Sequence, residues 1–162
     1  MAELTVLEEK LAEVLGLAQA AKAATDKVSS LTDEPDLSTT LRRMHDEADE
    51  TESRCTEIAG EIDGKKTAIL EKARETKAEA AEMMKTYLKE DSDALDGFEF
   101  LTMAEAGEAG HWSIVQVMAK RAGDADTLEL AELATPIQER HFKQAKAGSL
   151  KRAKEEDPNS IE

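Results

Sequence analysis

Residues 4–28, LTVLEEKLAEVLGLAQAAKAATDKV, place Leu4, Leu7, Leu11, Val14, Ala18, Ala21, Thr25 and Val28 at alternating intervals of three and four. That spacing returns a side chain to the same face on every turn of a 3.6-residue helix. The stripe stops at Leu31-Thr32-Asp33-Glu34-Pro35-Asp36, a turn cluster with a proline, so the first helix is expected over about residues 3–31.

The same period recurs downstream. Leu37, Leu41, Met44, Ala48, Thr51, Cys55, Ile58 and Ile62 predict a second helix, capped by Asp36 or Ser38 and ended near Gly60 and Gly64. Ile69, Ala73, Thr76, Ala80, Met83 and Tyr87 predict a third stretch, either a kinked continuation of the second or a separate element. After the turn Glu90-Asp91-Ser92-Asp93, a fourth stripe runs Ala94, Phe98, Leu101, Glu105, Glu108, Trp112, Val115, Ala119, Ala122 and stops at Gly123-Asp124. The last, Leu130, Ala134, Ile137, His141, Ala145 and Gly148, contains Pro136, which predicts a kink or a late start. Stripes broken by turns argue for an all-α antiparallel four-helix bundle with an additional helical segment between the second and third core helices. Residues 1–155 are expected to form the bundle and 156–162 a flexible polar tail.

Composition narrows the function classes. Alanine makes up 26 of 162 residues, which favours helix and close approach of helix axes. The formal charge is −15, and the basic pairs Arg42-Arg43, Lys65-Lys66 and Lys151-Arg152 form no stripe. Nucleic acid and anionic membranes are therefore not expected as partners, because both need clustered cations. Cys55 is the only cysteine, so no intrachain disulfide forms, in keeping with a reducing compartment. It reads as a small core residue. The acidic start Met1-Ala2-Glu3-Leu4 is unlike a signal peptide, and no apolar run is long enough to cross a bilayer. A cytoplasmic protein is expected.

The informative residues are polar ones on apolar stripes. Glu105 and Glu108 share a stripe with Leu101 and Trp112, so both carboxylates should face inward one turn apart. A bare buried carboxylate is costly and needs a partner or a proton. His141 lies on the last stripe, with Gln138 one turn before it. Glu47 and Glu50 flank the second stripe, and His45 and His111 flank theirs. Inward carboxylates and an imidazole from facing helices are the ingredients of a carboxylate-bridged metal site for iron, manganese or zinc. An ion pair with a base from another helix, and a structural histidine at His141, account for the same spacing. Glu108-Ala109-Gly110-His111 has E-x-x-H spacing, but His111 turns off the stripe that holds Glu108.

Several segments carry a family resemblance. Met44-His45-Asp46-Glu47-Ala48-Asp49-Glu50-Thr51 looks like the second helix of the YciF-type bacterial ferritin-like stress proteins, where a histidine precedes Glu-Thr. Gly64-Lys65-Lys66-Thr67, followed by Lys72 to Lys85, is similar to that family's intervening helix. Glu105-Ala106-Gly107-Glu108 stands where the family has Glu-His-Tyr-Glu, and Val117 to Asp124 is similar to its third core helix ending in Leu-Gly-Asp. The resemblance to the ferritin-like superfamily covers most of the chain. It implies a four-helix bundle with a di-metal, typically di-iron, carboxylate centre and assembly as a homo-dimer or higher homo-oligomer.

By position, Glu50, Glu105 and Glu108 match the family's metal carboxylates, while Gln138 and His141 stand where other members carry Glu-x-x-His. Three departures follow: Gln19 where the first helix should supply a glutamate, Gln138 for a glutamate, and Ala106 for a histidine. A single metal, a rearranged site using Glu47, or no metal are the outcomes these leave. Three functions are therefore in view. The first is a ferritin-like iron-binding protein handling ferrous ion under stress, at most a ferroxidase or peroxide consumer. Its ligands would be Glu50, Glu105, Glu108 and His141, with Glu47, Gln138 and His111 as lesser candidates. The second is a non-enzymatic bundle that has lost its centre and acts through protein contacts. The third is a binder of haem or a small ligand between helices.

Overall fold

The computed structural model describes residues 1–161 and contains five α-helices among them. Glu162, the end of the expected tail, lies outside the described residues. Helix α1 (Val6–Ser29) opens on a reciprocal cap. The Glu8 N–H donates to Thr5 Oγ1 at 3.2 Å and the Thr5 N–H donates to the Glu8 carboxylate at 2.7 Å. Two otherwise orphaned backbone donors are satisfied.

Helix α2 (Pro35–Glu61) is capped by neither Asp36 nor Ser38. Glu34 is its cap residue, and Pro35 opens the first turn, where a missing N–H costs nothing. Gly64, at φ +71°, then reverses the chain in a left-handed conformation that glycine adopts without steric cost. The third stretch is therefore a separate helix, α3 (Lys66–Tyr87), and not a continuation of α2. Helix α4 (Ala94–Ala122) starts on a second reciprocal cap, between Asp93 and Asp96, and stops at Gly123, φ +69°. Helix α5 (Ala125–Ala153) begins beside its cap Asp124 and runs through Pro136 without interruption, so it does not start late. Pro136 is exposed, and water can take the carbonyl that its missing N–H leaves free.

Short turns make each successive pair of helices antiparallel. Helices α1, α2, α4 and α5 form the bundle, with α1 against α2 and α4, and α5 against α4 and α2. Helix α3 packs chiefly on α1 and carries the chain back along the bundle, so α4 runs parallel to α2 and antiparallel to α1. Its approach is close enough that a Cβ on Gly16 would lie 2.4 Å from the Ala73 carbonyl oxygen.

The core is divided. Leu11, Leu15, Cys55, Ile69, Trp112, Val115 and Leu130 fill one end. Val28, Leu41, Met44, Phe98, Leu101 and Ala145 fill the other. Between them α4 supplies Glu105 and Glu108, α5 supplies Gln138 and His141, and α1 supplies only the alanines Ala18 and Ala21. No described helix is long and apolar enough to cross a membrane.

Candidate metal centre in the middle of the bundle

The polar layer is built from three helices. Glu105 and Glu108 are 1% and 4% exposed, because their stripe on α4 faces α5 and α1. Gln138 and His141, one turn apart on α5, are equally buried. Gln138 Nε2 donates to Glu105 Oε2 at 3.1 Å. His141 Nδ1 lies 3.7 Å from the same oxygen, and its Nε2 lies 3.5 Å from Glu47 Oε1. Behind Glu47 stand the Arg140 guanidinium, which donates to Oε2, and Arg43 Nε at 3.1 Å from Oε1. The result is a connected row of polar side chains, Arg140–Glu47–His141–Glu105, that crosses from α2 to α4 through α5.

The two inner acids differ. Glu105 has an amide donor and an imidazole. Glu108 forms no ion pair among the described residues, and Gln138 is its nearest source of relief. Burial, reinforced by the adjacent Glu105 charge, pushes the Glu108 carboxyl well above the usual range, and the Gln138 amide opposes this only in part. Glu47 goes the other way. Burial works against its ionisation, but Arg140 and His141 outweigh it and hold the carboxyl low. Cys55 is buried in the adjoining core; burial, with the Glu108 and Glu52 charges, raises its thiol out of the reactive range.

Some candidates lie elsewhere. Glu50, matched above to a family ligand, is exposed and bound to Arg54 one turn on, at 3.0 Å. One residue of helix separates it from buried Thr51, and that rotation of about 100° carries it outward, whereas Glu47 lies one full turn before Thr51 and stays near the interface. His111 places Nδ1 2.8 Å from the Gly107 carbonyl and Nε2 3.7 Å from Glu13, and it forms no hydrogen bond or ion pair with His141 or the two inner acids among the described residues, although it lines the same cavity as those acids do. His45 lies between Asp26 and Asp46 at the surface. Gln19 donates to Glu52 at 3.3 Å, leaving its buried Oε1 without a donor. Arg140 is the member that sequence reading passed over; its position next to His141 was the available signal, but its partner is 93 residues away.

A cavity of about 230 Å3 between α1, α3 and α4 reaches these acids. Its walls are mostly apolar, including Leu17, Ala24, Met84 and Phe100, and Glu105, Glu108, His111 and Lys77 also line it. The donor types suit a hard or borderline divalent ion: carboxylate oxygens, one imidazole nitrogen and an amide oxygen. Among the described residues, no three His, Cys, Asp or Glu side chains already converge as a finished shell, so an ion would have to draw Glu105, Glu108 and His141 together.

Comparison with known proteins is sparse. No family model matches the chain, and no curated protein matches it. Among solved structures, the chain is similar in fold to "YcfI, a putative structural protein from Rhodopseudomonas palustris", with a TM-score of 0.66 and 15% identity over 87% of this chain and 90% of that one. At that identity the likeness concerns the all-helical fold alone.

Proposed function

We propose that this chain is a ferritin-like protein that binds one divalent metal ion, iron foremost, on Glu105, Glu108 and His141. The observation that carries this reading is Glu108, a buried carboxyl beside a second buried carboxyl, with no ion-pair partner among the described residues. A divalent ion is the partner that lets both acids stay ionised. The outer residues support it. Glu47, held by Arg140, faces His141 Nε2 and leaves Nδ1 on the side of Glu105. An outer carboxylate that orients a ligating imidazole works in this way. A bundle with one long crossover is also the connectivity of ferritin-like folds. Glutamines at 19 and 138 argue for one ion rather than two.

In this reading Glu105 and Glu108 bring charge, His141 a nitrogen donor and Gln138 a neutral amide. Glu108 must give up its proton on ligation, so binding releases protons and weakens in acid. Iron with an open position would supply electron exchange with oxygen or peroxide.

One arrangement favours a metal-free bundle acting through protein contacts: the Gln138 amide already occupies a Glu105 oxygen. Anaerobic ferrous titration calorimetry at several pH values separates the two. The expected result is one ion per chain, tighter as pH rises, lost in Glu108→Gln and retained in Glu50→Gln. No binding and an unchanged melting temperature would sink the metal reading.

A further inference from the structure

Helix α4 carries a second stripe on the solvent side, and at its edge Met103 and Gly107 also border the cavity that reaches the acids. Between Glu99 and Lys120 it exposes no Asp, Glu, Lys or Arg, in a chain where these make up 35% of residues. Its large exposed side chains are apolar, Met103 at 42%, Ile114 at 42% and Val117 at 60%, with Ser113 the exposed hydroxyl among them. Its middle is flat, for a Cβ on Gly107 or Gly110 would meet no heavy atom within 4 Å.

The stripe is also a palindrome in chemistry about Gly110. Ala106 and Ile114 lie four residues to either side, Met103 and Val117 seven, Glu99 and Arg121 eleven. Offsets of four, seven and eleven are nearly one, two and three helical turns, so these residues share one face over about 33 Å. Glu99 and Arg121 are exposed, and neither has an ion-pair partner among the described residues.

We infer that this face binds a second copy of the chain, with the two α4 helices antiparallel and crossing at Gly110. That register sets Met103 against Val117 of the other copy and Glu99 against Arg121 of the other copy, twice over. Such a self-complementary surface is what a two-fold interface requires. Net charge selects the same face. Two molecules of −15 repel over most of their surfaces, and this stretch combines uncharged apolar groups with matched opposite ends.

The test uses the full chain, freed of metal with chelator, in sedimentation equilibrium. A dimer is expected. Glu99→Arg and Arg121→Glu should each weaken it by about tenfold or more in Kd, and the double exchange should restore it, because the opposed pair is merely reversed. Gly110→Cys should form an intermolecular disulfide on mild oxidation, while the wild type, whose only thiol is buried, should not. Circular dichroism checks that each variant is folded. A monomer at every concentration overturns the inference. So does a dimer that neither charge reversal weakens, or one that Gly110→Cys fails to crosslink.

Discussion

The inner and outer faces of α4 invert the usual division of a bundle helix. At mid-helix the inner face turns Glu105 and Glu108 into the core, while the outer face turns Met103, Ile114 and Val117 to solvent. The ends of the helix behave normally, with Phe98, Leu101, Trp112, Val115 and Ala119 buried and Glu99, Lys120 and Arg121 exposed. On the inner face the inversion is confined to the turn Glu105–Glu108, while on the outer face it runs from Met103 to Val117. A helix that gives up amphipathicity there loses stability in the isolated subunit, and each face needs a partner to recover it: a proton or a cation inside, another surface outside.

Substitutions can break or sharpen this contrast, and all are best measured on metal-free protein at high dilution. Glu105→Ala is expected to have the largest effect, a loss of about 3–5 kcal/mol in urea unfolding, because it leaves buried His141 and Gln138 without their acceptor. An unchanged midpoint would show that the acid is not integrated with the α5 side chains. Next comes Gly148→Ala. Its Cβ would fall 2.4 Å from the Phe98 ring, and overpacking of that kind costs about 1–3 kcal/mol.

Glu108→Gln should act in the opposite sense and raise stability at alkaline pH by about 1–2 kcal/mol, since it removes a buried charge that has no ion-pair partner among the described residues. Its pH dependence is a sharper test. The folded state holds the Glu108 proton more tightly than the unfolded chain does, so this group favours folding most below the ordinary carboxyl range. That advantage disappears as pH rises through the folded-state value. Melting temperature should therefore fall with rising pH in the wild type, and the slope should flatten in the variant. The smallest change belongs to the outer face. Gly107→Ala should stabilise the subunit by about 0.5–1 kcal/mol, because a methyl meets nothing there and glycine weakens a helix interior. A destabilised variant would mean that the outer face is already packed.

Particular residues show what was legible beforehand. The inward direction of Glu105, Glu108 and His141 followed from period alone, because helix geometry ties sequence spacing to direction in space. Glu47 and Glu50 were both beside their stripe, and choosing between them required knowing how far α5 reaches across α2. The pairing of Arg140 with Glu47 depends on two helices meeting in one register, which no local pattern encodes. Of the two outcomes Pro136 predicted, the late start does not occur, because α5 starts at Ala125 and the lost hydrogen bond falls on the exposed side. The outer stripe was visible as an absence of charge, yet its meaning depended on knowing that α3 packs on α1 and leaves that side of α4 open.

From its amino acids alone this chain was committed to long helices, to a bundle, and to acids and an imidazole in the interior, because those follow from the 3.6-residue period and from the cost of exposing an apolar stripe. Tertiary structure alone decided that α3 is a separate returning helix, that Glu47 and not Glu50 joins the polar layer, and that no described residue forms an ion pair with Glu108. Those outcomes depend on which side chains from distant segments arrive at the same place, and close packing between helices, not local propensity, sets that arrival.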